Sequence, residues 1–174
     1  MKKLIAIVLT ALMLLTFAAL AETPVEGMPN PWLDTTAEGL MEALGVEFKV
    51  PVGAENVVFR MLKEESLAEM DFDLDGMEYT SRIQPAVEWT DISGMYYEWE
   101  NTLEDFTIGS CPAWEGRAAD GEATADLCLW FDVVPGLMYS LGTVGEGDLD
   151  GFDLTAIAEQ VYAPVQGDAW SAVQ

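Results

Sequence analysis

The stretch AEMDFDLDGMEYTSRI, from Ala68 to Ile83, constrains the fold more than any other part of the chain. In it, Asp75-Gly76 separates two runs that alternate apolar and polar residues. Such a dipeptide is the strongest short-range signal for a β-hairpin, because both central residues of the favoured tight turn need positive φ. The turn also sets the register and places Glu69 opposite Arg82. We therefore predict a hairpin with one apolar face and one solvated polar face.

The same stretch matches the first half of a calcium-binding loop. Asp71, Asp73 and Asp75 alternate along the chain and are followed by Gly76, as in loops where alternate oxygen ligands surround the ion. The second half does not match, because Arg82 stands where the loop needs a bidentate glutamate. The plain hairpin is therefore favoured, and calcium bound by these three aspartates is the alternative.

The N-terminus has the features of a secretory signal peptide. Two lysines precede an apolar run from Leu4 to Leu20, and a small-residue cleavage pattern ends at Ala21. We predict that residues 1–21 are removed on export, that residues 22–33 form an extended lead-in, and that residues 34–174 form a single domain. No second long apolar stretch follows, so a secreted or extracytoplasmic protein without a membrane span is expected.

The mature chain is predicted to be strongly acidic. Removal of the signal peptide leaves five basic residues against 31 acidic ones, a net charge of −26. A charge of this sign argues against nucleic acid and anionic membranes as partners, and it favours high solubility or an affinity for cations. Because 51% of the residues are hydrophobic and six are tryptophan, the composition is nevertheless that of a folded domain.

Helices are predicted near both ends of the mature chain. The first begins at Thr35, with Glu38 three residues later completing a capping box in which side chains and backbone amides satisfy each other. The second begins near Asp153, a favourable N-cap, and is ended by Pro164. Both segments carry apolar residues at i, i+3, i+4 and i+7, so each should pack one face against a sheet.

Between these helices, alternating runs predict six to eight strands joined by short turns. The sheet is expected to begin at Val46 to Val50, and Met95 to Glu100 is the clearest alternating run. A polar turn is predicted at Asn101 to Asp105, and Leu127 to Val134 is apolar on both faces, as in a central strand. The order of elements predicts an α+β fold, with an antiparallel sheet and both helices packed on one face.

Two cysteines occur, Cys111 and Cys128, and in an exported protein two cysteines more often pair than stay free. A bond between them would close a loop of roughly 18 residues and stabilise the fold by about 3 kcal/mol. Pairing across a turn at Asp120-Gly121 places Cys128 opposite Ala113, so the disulfide requires a bulge. We predict this disulfide.

A second acidic cluster contains Asp148, Asp150 and Asp153 around Gly151 and also resembles part of a calcium loop. A loop followed by a helix cap explains Asp153, because acids are favoured at helix N-termini. Asp148 and Asp150 are not explained in this way. Calcium is therefore a candidate cofactor here as well.

Four aromatic residues are candidates for a sugar-binding face, because exposed aromatics beside carboxylates are typical of such surfaces. They are Trp89, Tyr96, Trp99 and Trp114. Aromatics at alternate strand positions are more often part of a core, which is the alternative for each of them.

The residue types present argue against most kinds of catalysis. The chain has no histidine, and hence no Ser-His or Cys-His pair and no usual proton shuttle. It lacks a Gly-x-Ser-x-Gly elbow and a phosphate-binding glycine loop. A two-carboxylate glycosidase remains formally possible among 31 acids. We predict that the protein is not an enzyme.

Several runs resemble those of a group of uncharacterised small secreted proteins of anaerobic, mainly Gram-positive, gut bacteria. The runs are NPW at Asn30 to Trp32, RIQPA at Arg82 to Ala86, DISGMYYEWE at Asp91 to Glu100 and VPGLMYSL at Val134 to Leu141. The resemblance implies export, and it carries no activity, cofactor or catalytic residue.

These observations lead to one expected function and two alternatives. We expect an exported, acidic, non-enzymatic domain that binds or senses a partner at or outside the cell envelope. The alternatives are a calcium-stabilised extracellular module and a carbohydrate-binding or carbohydrate-active protein.

Overall fold

The computed structural model describes residues 30–146 and 153–164. The chain divides into a unit that ends at Asn30 and a compact unit that begins at Pro31, and the account below concerns the second unit. The predicted signal peptide, most of the lead-in, Asp148 and Asp150 lie outside the described residues.

In the described part of the chain, eight strands form one sheet in which every neighbouring pair is antiparallel. The predicted α+β class and antiparallel sheet are therefore confirmed. The strands are β1 (Leu33–Thr35), β2 (Glu55–Leu62), β3 (Leu67–Leu74), β4 (Met77–Pro85), β5 (Asn101–Ile108), β6 (Cys111–Asp120), β7 (Ala123–Asp132) and β8 (Leu137–Glu146). The helices are α1 (Ala37–Leu44) and α2 (Leu154–Val161). The spatial order is β1-β2-β3-β4-β8-β7-β6-β5, so the chain leaves β4 at the middle of the sheet, returns at the far edge and closes against β4 with β8.

The hairpin of β3 and β4 has the predicted register. Leu74 lies opposite Met77, and Glu69 lies opposite Arg82. The two turn residues, Asp75-Gly76, have φ of 53° and 82°, which is the positive-φ geometry that the dipeptide favours. This prediction is confirmed.

Of the two predicted helix caps, the second is confirmed and the first, Thr35 with Glu38, is wrong by one residue. Asp153 caps α2, since its carboxylate accepts a hydrogen bond from the Ala156 amide at 3.1 Å. The cap of α1 is Thr36 instead of the predicted Thr35, and its hydroxyl accepts from the Gly39 amide at 3.1 Å. Thr35 is unavailable as a cap because it is the last residue of β1 and pairs with β2.

Two predicted strands are not strands. Val46 to Val50 and Met95 to Glu100 lie outside the sheet, although side chains alternate between buried or half-buried and exposed from Val46 to Lys49 and from Met95 to Glu100. Lys49 donates its amide hydrogen to the Val161 carbonyl at 3.2 Å, so the first segment bonds to the end of α2. The predicted turn at Asn101 to Asp105 is instead part of β5, which has an irregular register where Asp105 adopts a φ of 64°.

The two faces of the sheet carry separate apolar clusters. The first face holds the larger cluster, to which both helices contribute. At its centre Trp130 of β7 stacks on Tyr139 of β8 with ring centroids 5.2 Å apart. The second face holds a smaller cluster around Leu127, Leu129 and Met138. Residues 86–100 contribute Ile92 and other side chains to this smaller cluster and cover that part of the second face.

Among the described residues, no helix combines the length and apolar character that a membrane span requires.

Candidate functional site

The second face of the sheet is only partly covered. Residues 86–100 pack over its apolar cluster, whereas the end of the β3–β4 hairpin carries polar side chains. Three adjoining cavities follow these polar residues, with volumes of about 380, 450 and 320 Å³. Glu78 lines all three. We call these three adjoining cavities together the hairpin groove.

The inner boundary of the groove is a network of two arginines and two carboxylates. Glu69 is only 4% exposed. The Arg82 Nε donates to Glu69 at 2.8 Å, the Arg60 guanidinium lies 3.7 Å from Glu69, and Arg60 also forms an ion pair with Asp71. Burial raises the pKa of Glu69, and the hydrogen bond from Arg82 opposes that rise. The polar face of the hairpin was predicted to be solvated along its whole length. At this end, its charged side chains are instead paired with one another, and Glu69 is buried.

Arg82 also fixes the segment that covers the second face. Its Nη1 donates to the carbonyl oxygens of Ile92 and Ser93 at 3.2 and 2.6 Å, and its guanidinium lies 5.4 Å from the centre of the Trp32 ring. A planar guanidinium can bond in several directions at once while stacking on an aromatic ring. The positive charge of Arg82 is thus balanced by contacts inside the protein.

The outer end of the groove is lined by carboxylates that form no ion pair with another described residue. Glu55 of β2 lies opposite Asp73 of β3, and Asp73 lies opposite Glu78 of β4, so three adjacent strands place carboxylates side by side. Asp75 of the turn lines the same cavity. Among the described residues, Asp73 accepts a hydrogen bond from Asn56 at 2.6 Å, but none of the four forms an ion pair. Like charges directly opposite each other destabilise a sheet.

The chain has few cations that could neutralise these acids. Each of its three arginines already forms an ion pair with a carboxylate of the sheet: Arg60 with Asp71, Arg82 with Glu69, and Arg117 with Asp126. Elsewhere in the sheet, then, charged cross-strand neighbours have opposite signs. The outer end of the hairpin groove departs from that pattern.

Neither predicted calcium loop forms a complete site in the described part of the chain. Asp71 is occupied by Arg60 and by the Thr80 hydroxyl at 2.7 Å, and Asp153 is the cap of α2. Asp73 and Asp75 line the hairpin groove. Among the residues described, no group of three or more candidate ligands has the spacing of a metal site. The role proposed for Asp148 and Asp150 stays a prediction.

The four aromatic candidates do not all have the same environment. Trp99 and Trp114 pack edge to face, with centroids 6.0 Å apart, against the smaller apolar cluster. Trp89 and Tyr96 are more open, with 42% and 96% of their surface exposed. Trp99 and Trp114 are therefore core residues. Of the four candidates, only Trp89 and Tyr96 could contribute to an exposed aromatic surface.

The predicted disulfide is absent from the structure, in which Cys111 and Cys128 are free and buried. The turn is shifted by one residue from the prediction, so that Asp120 lies opposite Ala123 and Cys128 lies opposite Glu115. Cys111 is four residues further along β6, about 14 Å away, whereas a disulfide needs Cα atoms within about 7 Å. Burial also raises the pKa of both thiols, which disfavours the thiolate that a nucleophilic cysteine requires.

One buried ion pair was not found from the sequence. Asp126 is fully buried on the first face, and the Arg117 Nη2 donates to it at 2.7 Å. Glu115, two residues from Arg117, accepts a hydrogen bond from the Thr155 hydroxyl of α2 at 3.0 Å. Burial raises the pKa of both carboxyl groups. The sequence indicated a buried charge only through an aspartate within the apolar strand β7. Its partner, Arg117, could not be identified because the pairing depends on the register of β6.

Comparison with models of protein families, with curated proteins and with solved structures finds no match to this chain. The hairpin groove is therefore interpreted from its own geometry and charge.

Proposed function

We propose that this protein is an exported, non-enzymatic binding domain and that it binds a positively charged ligand in the hairpin groove. The observation that carries the proposal is the row of carboxylates at Glu55, Asp73 and Glu78 on three adjacent strands. Such a row costs stability while it is empty, and a bound cation would remove that cost. Sites that trade stability for binding are common in natural proteins.

The shape of the groove supports a ligand larger than a metal ion. The three cavities adjoin through Glu78 and together extend over β2, β3, β4 and β8. Hydroxyl groups and apolar side chains share the lining with the carboxylates, notably Thr80, Met95 and Val144. A ligand that fills this surface would contact groups of several kinds, as specific sites require.

The remaining charge of the protein would assist such binding. A net charge of −26 after predicted cleavage attracts cations over the whole surface and speeds their encounter with the groove. This general attraction is also the main competing explanation for any observed binding. The experiment must therefore separate a local site from the overall charge.

Calorimetric titration with trilysine amide at low ionic strength makes this separation. The groove variant is Asp73→Asn with Glu78→Gln, and its matched control is Glu42→Gln with Glu64→Gln, which removes the same charge from two exposed positions elsewhere. Two exposed ion pairs are together worth roughly 1–2 kcal/mol. We expect the groove variant to bind about tenfold more weakly and the control to change less than twofold.

Equal weakening in the two double variants would mean that trilysine responds only to net charge, and the proposed site would be abandoned. A titration of the wild-type protein with calcium under the same conditions tests the calcium alternative. Selective binding of calcium that competes with trilysine would assign the carboxylate row to a metal.

A further inference from the structure

The first turn of α2 is attached to the sheet by a side-chain hydrogen bond on the first face. The Thr155 hydroxyl of α2 donates to the carboxylate of Glu115 on β6 at 3.0 Å. Asp153 caps the same turn, and Leu154, the first residue of the helix, is completely buried. Glu115, which is half-buried, thus ties the beginning of the helix to the sheet.

A second carboxyl group, that of Asp126, lies diagonally across from Glu115. Arg117 lies opposite Asp126, and Glu115 lies opposite Cys128, two residues further along β7. The Cβ atoms of such diagonal neighbours are about 7 Å apart. The Arg117 Nη2 donates to the Asp126 Oδ2 at 2.7 Å, whereas the buried Oδ1 of Asp126 has no hydrogen-bond partner among the described residues. One guanidinium therefore faces two carboxyl groups, and one buried carboxyl oxygen lacks a donor.

The neighbouring elements do not compensate this excess of acids. The strand residues opposite the group are all uncharged: Asn101 and Leu103 on β5, and Leu141 and Thr143 on β8. Asp153 and Glu159 of α2 are acidic, and Lys49 lies at the far end of the helix, where its amide bonds to Val161. Two carboxyl groups that share a buried site resist the loss of both protons, because like charges repel and burial disfavours the charged forms.

We propose that Glu115 and Asp126 together hold one proton, and that the loss of this proton at higher pH releases the first turn of α2 from the sheet. While one of the two carboxyl groups is protonated, Arg117 balances the other. Once both are charged, Glu115 can be fully hydrated only if Thr155 and its turn of the helix move away.

The direction of the pH dependence follows from the surroundings of the pair. Burial, and after it the charge of Asp126, raises the pKa of Glu115, and burial also raises the pKa of Asp126. The two groups titrate as a pair, so the proton belongs to both. A raised pKa in the folded state stabilises the attachment fully below the ordinary carboxyl pKa, and this stabilisation is lost as the pH rises through the raised pKa.

Hydrogen exchange followed by NMR between pH 5 and pH 8 tests the release on protein produced from the complete sequence. Protection factors, corrected for the intrinsic pH dependence of exchange, are compared for Ile157 and Ala158 in α2 and for Leu40 and Met41 in α1. The amides of α1 are the internal control, because global unfolding exposes both helices. We expect the protection of the α2 amides to fall about fivefold relative to the α1 amides as the pH rises.

Two variants separate the proton from the general charge of the protein. Glu115→Gln keeps an acceptor for the Thr155 hydroxyl but cannot ionise, so the protection of α2 relative to α1 should change less than about twofold over the same pH range. Glu64→Gln removes a carboxylate from an exposed position elsewhere and should retain the wild-type pH dependence. Parallel changes in α1 and α2 of the wild-type protein, or a pH dependence that survives in Glu115→Gln, would overturn the proposal.

The carboxyl carbon-13 shift of Glu115 in the wild-type protein gives a test that requires no variant to fold. A titration midpoint above that of the exposed glutamates, accompanied by a second shift at Asp126 over the same pH range, is the expected result. A Glu115 midpoint equal to that of the exposed glutamates would show that the pair holds no proton, and the proposal would be abandoned.

Discussion

Replacing Arg82 by methionine should lower the free energy of unfolding by about 3 kcal/mol. The 2.8 Å contact between Arg82 and Glu69 is worth about 6 kcal/mol at an effective dielectric constant of 20, before desolvation is counted. Breaking a buried pair by removing one partner typically costs about 3–5 kcal/mol. We expect the lower end, because Arg60 remains 3.7 Å from Glu69 and keeps part of the compensation.

Urea unfolding, followed by tryptophan fluorescence, measures this loss. Lys63→Met is the matched control, because it removes the same charge from an exposed position and should change stability by less than about 0.5 kcal/mol. The double variant Arg82→Met with Glu69→Leu should recover part of the loss, since no buried charge is then left unpaired. A loss below about 1 kcal/mol in Arg82→Met, or a double variant as unstable as the single one, would refute this account of the network.

Three further predictions concern other charged or reactive groups. Glu78→Gln should raise the free energy of unfolding by about 0.5 kcal/mol, since it removes a like-charged cross-strand neighbour; a comparable decrease in the same urea assay would contradict this. Burial raises the pKa of Glu69 and Asp126, so the folded state binds more protons than the unfolded state at these groups. The stabilisation from these two groups is therefore complete below the ordinary carboxyl pKa and is lost as the pH rises through the raised pKa. We expect the urea midpoint to increase when the pH is lowered from 7.5 to 5. A lower midpoint at pH 5 would contradict this prediction. Finally, Cys111 and Cys128 should react with a thiol reagent only after unfolding, and two thiols per chain should then be detected. If unfolded, unreduced protein has no reactive thiols, the two cysteines form a disulfide and this prediction is wrong.

The parts of the fold that depend on neighbouring residues could be predicted from the sequence. The hairpin was predictable because Asp75-Gly76 determines both the turn and the pairing around it. The cap of α2 at Asp153 was predictable for a similar reason, since the bond it accepts comes from a residue three positions away. In both cases the physical cause lies within a few residues.

The segment from Met95 to Glu100 was misjudged because period-two burial has two origins. A strand alternates because its residues point to opposite faces, and an extended segment lying over a sheet alternates in the same way. Only the pairing of distant strands distinguishes them. The strand β5 has the opposite problem: at the edge of the sheet most of its residues are exposed, so it has little alternation to detect.

The candidate site was only partly visible in the sequence. Asp73 and Glu78 flank the turn, so their approach follows from the hairpin register alone. Glu55 joins them through the pairing of β2 with β3, which includes an irregular register next to it. Val144 joins them through β8, more than 60 residues away in the chain. The predicted disulfide failed for a related reason, because a shift of one residue in the turn changed every pair along β6 and β7.

The central claim is that the hairpin groove binds a cationic ligand locally. An NMR titration of the ¹⁵N-labelled protein with trilysine amide tests this claim most directly, since each backbone amide reports on its own surroundings. The account predicts saturable shifts concentrated at Asp73, Glu78 and Thr80, with little change at Glu42 on α1. Small, non-saturating shifts spread over acidic residues throughout the surface would contradict it.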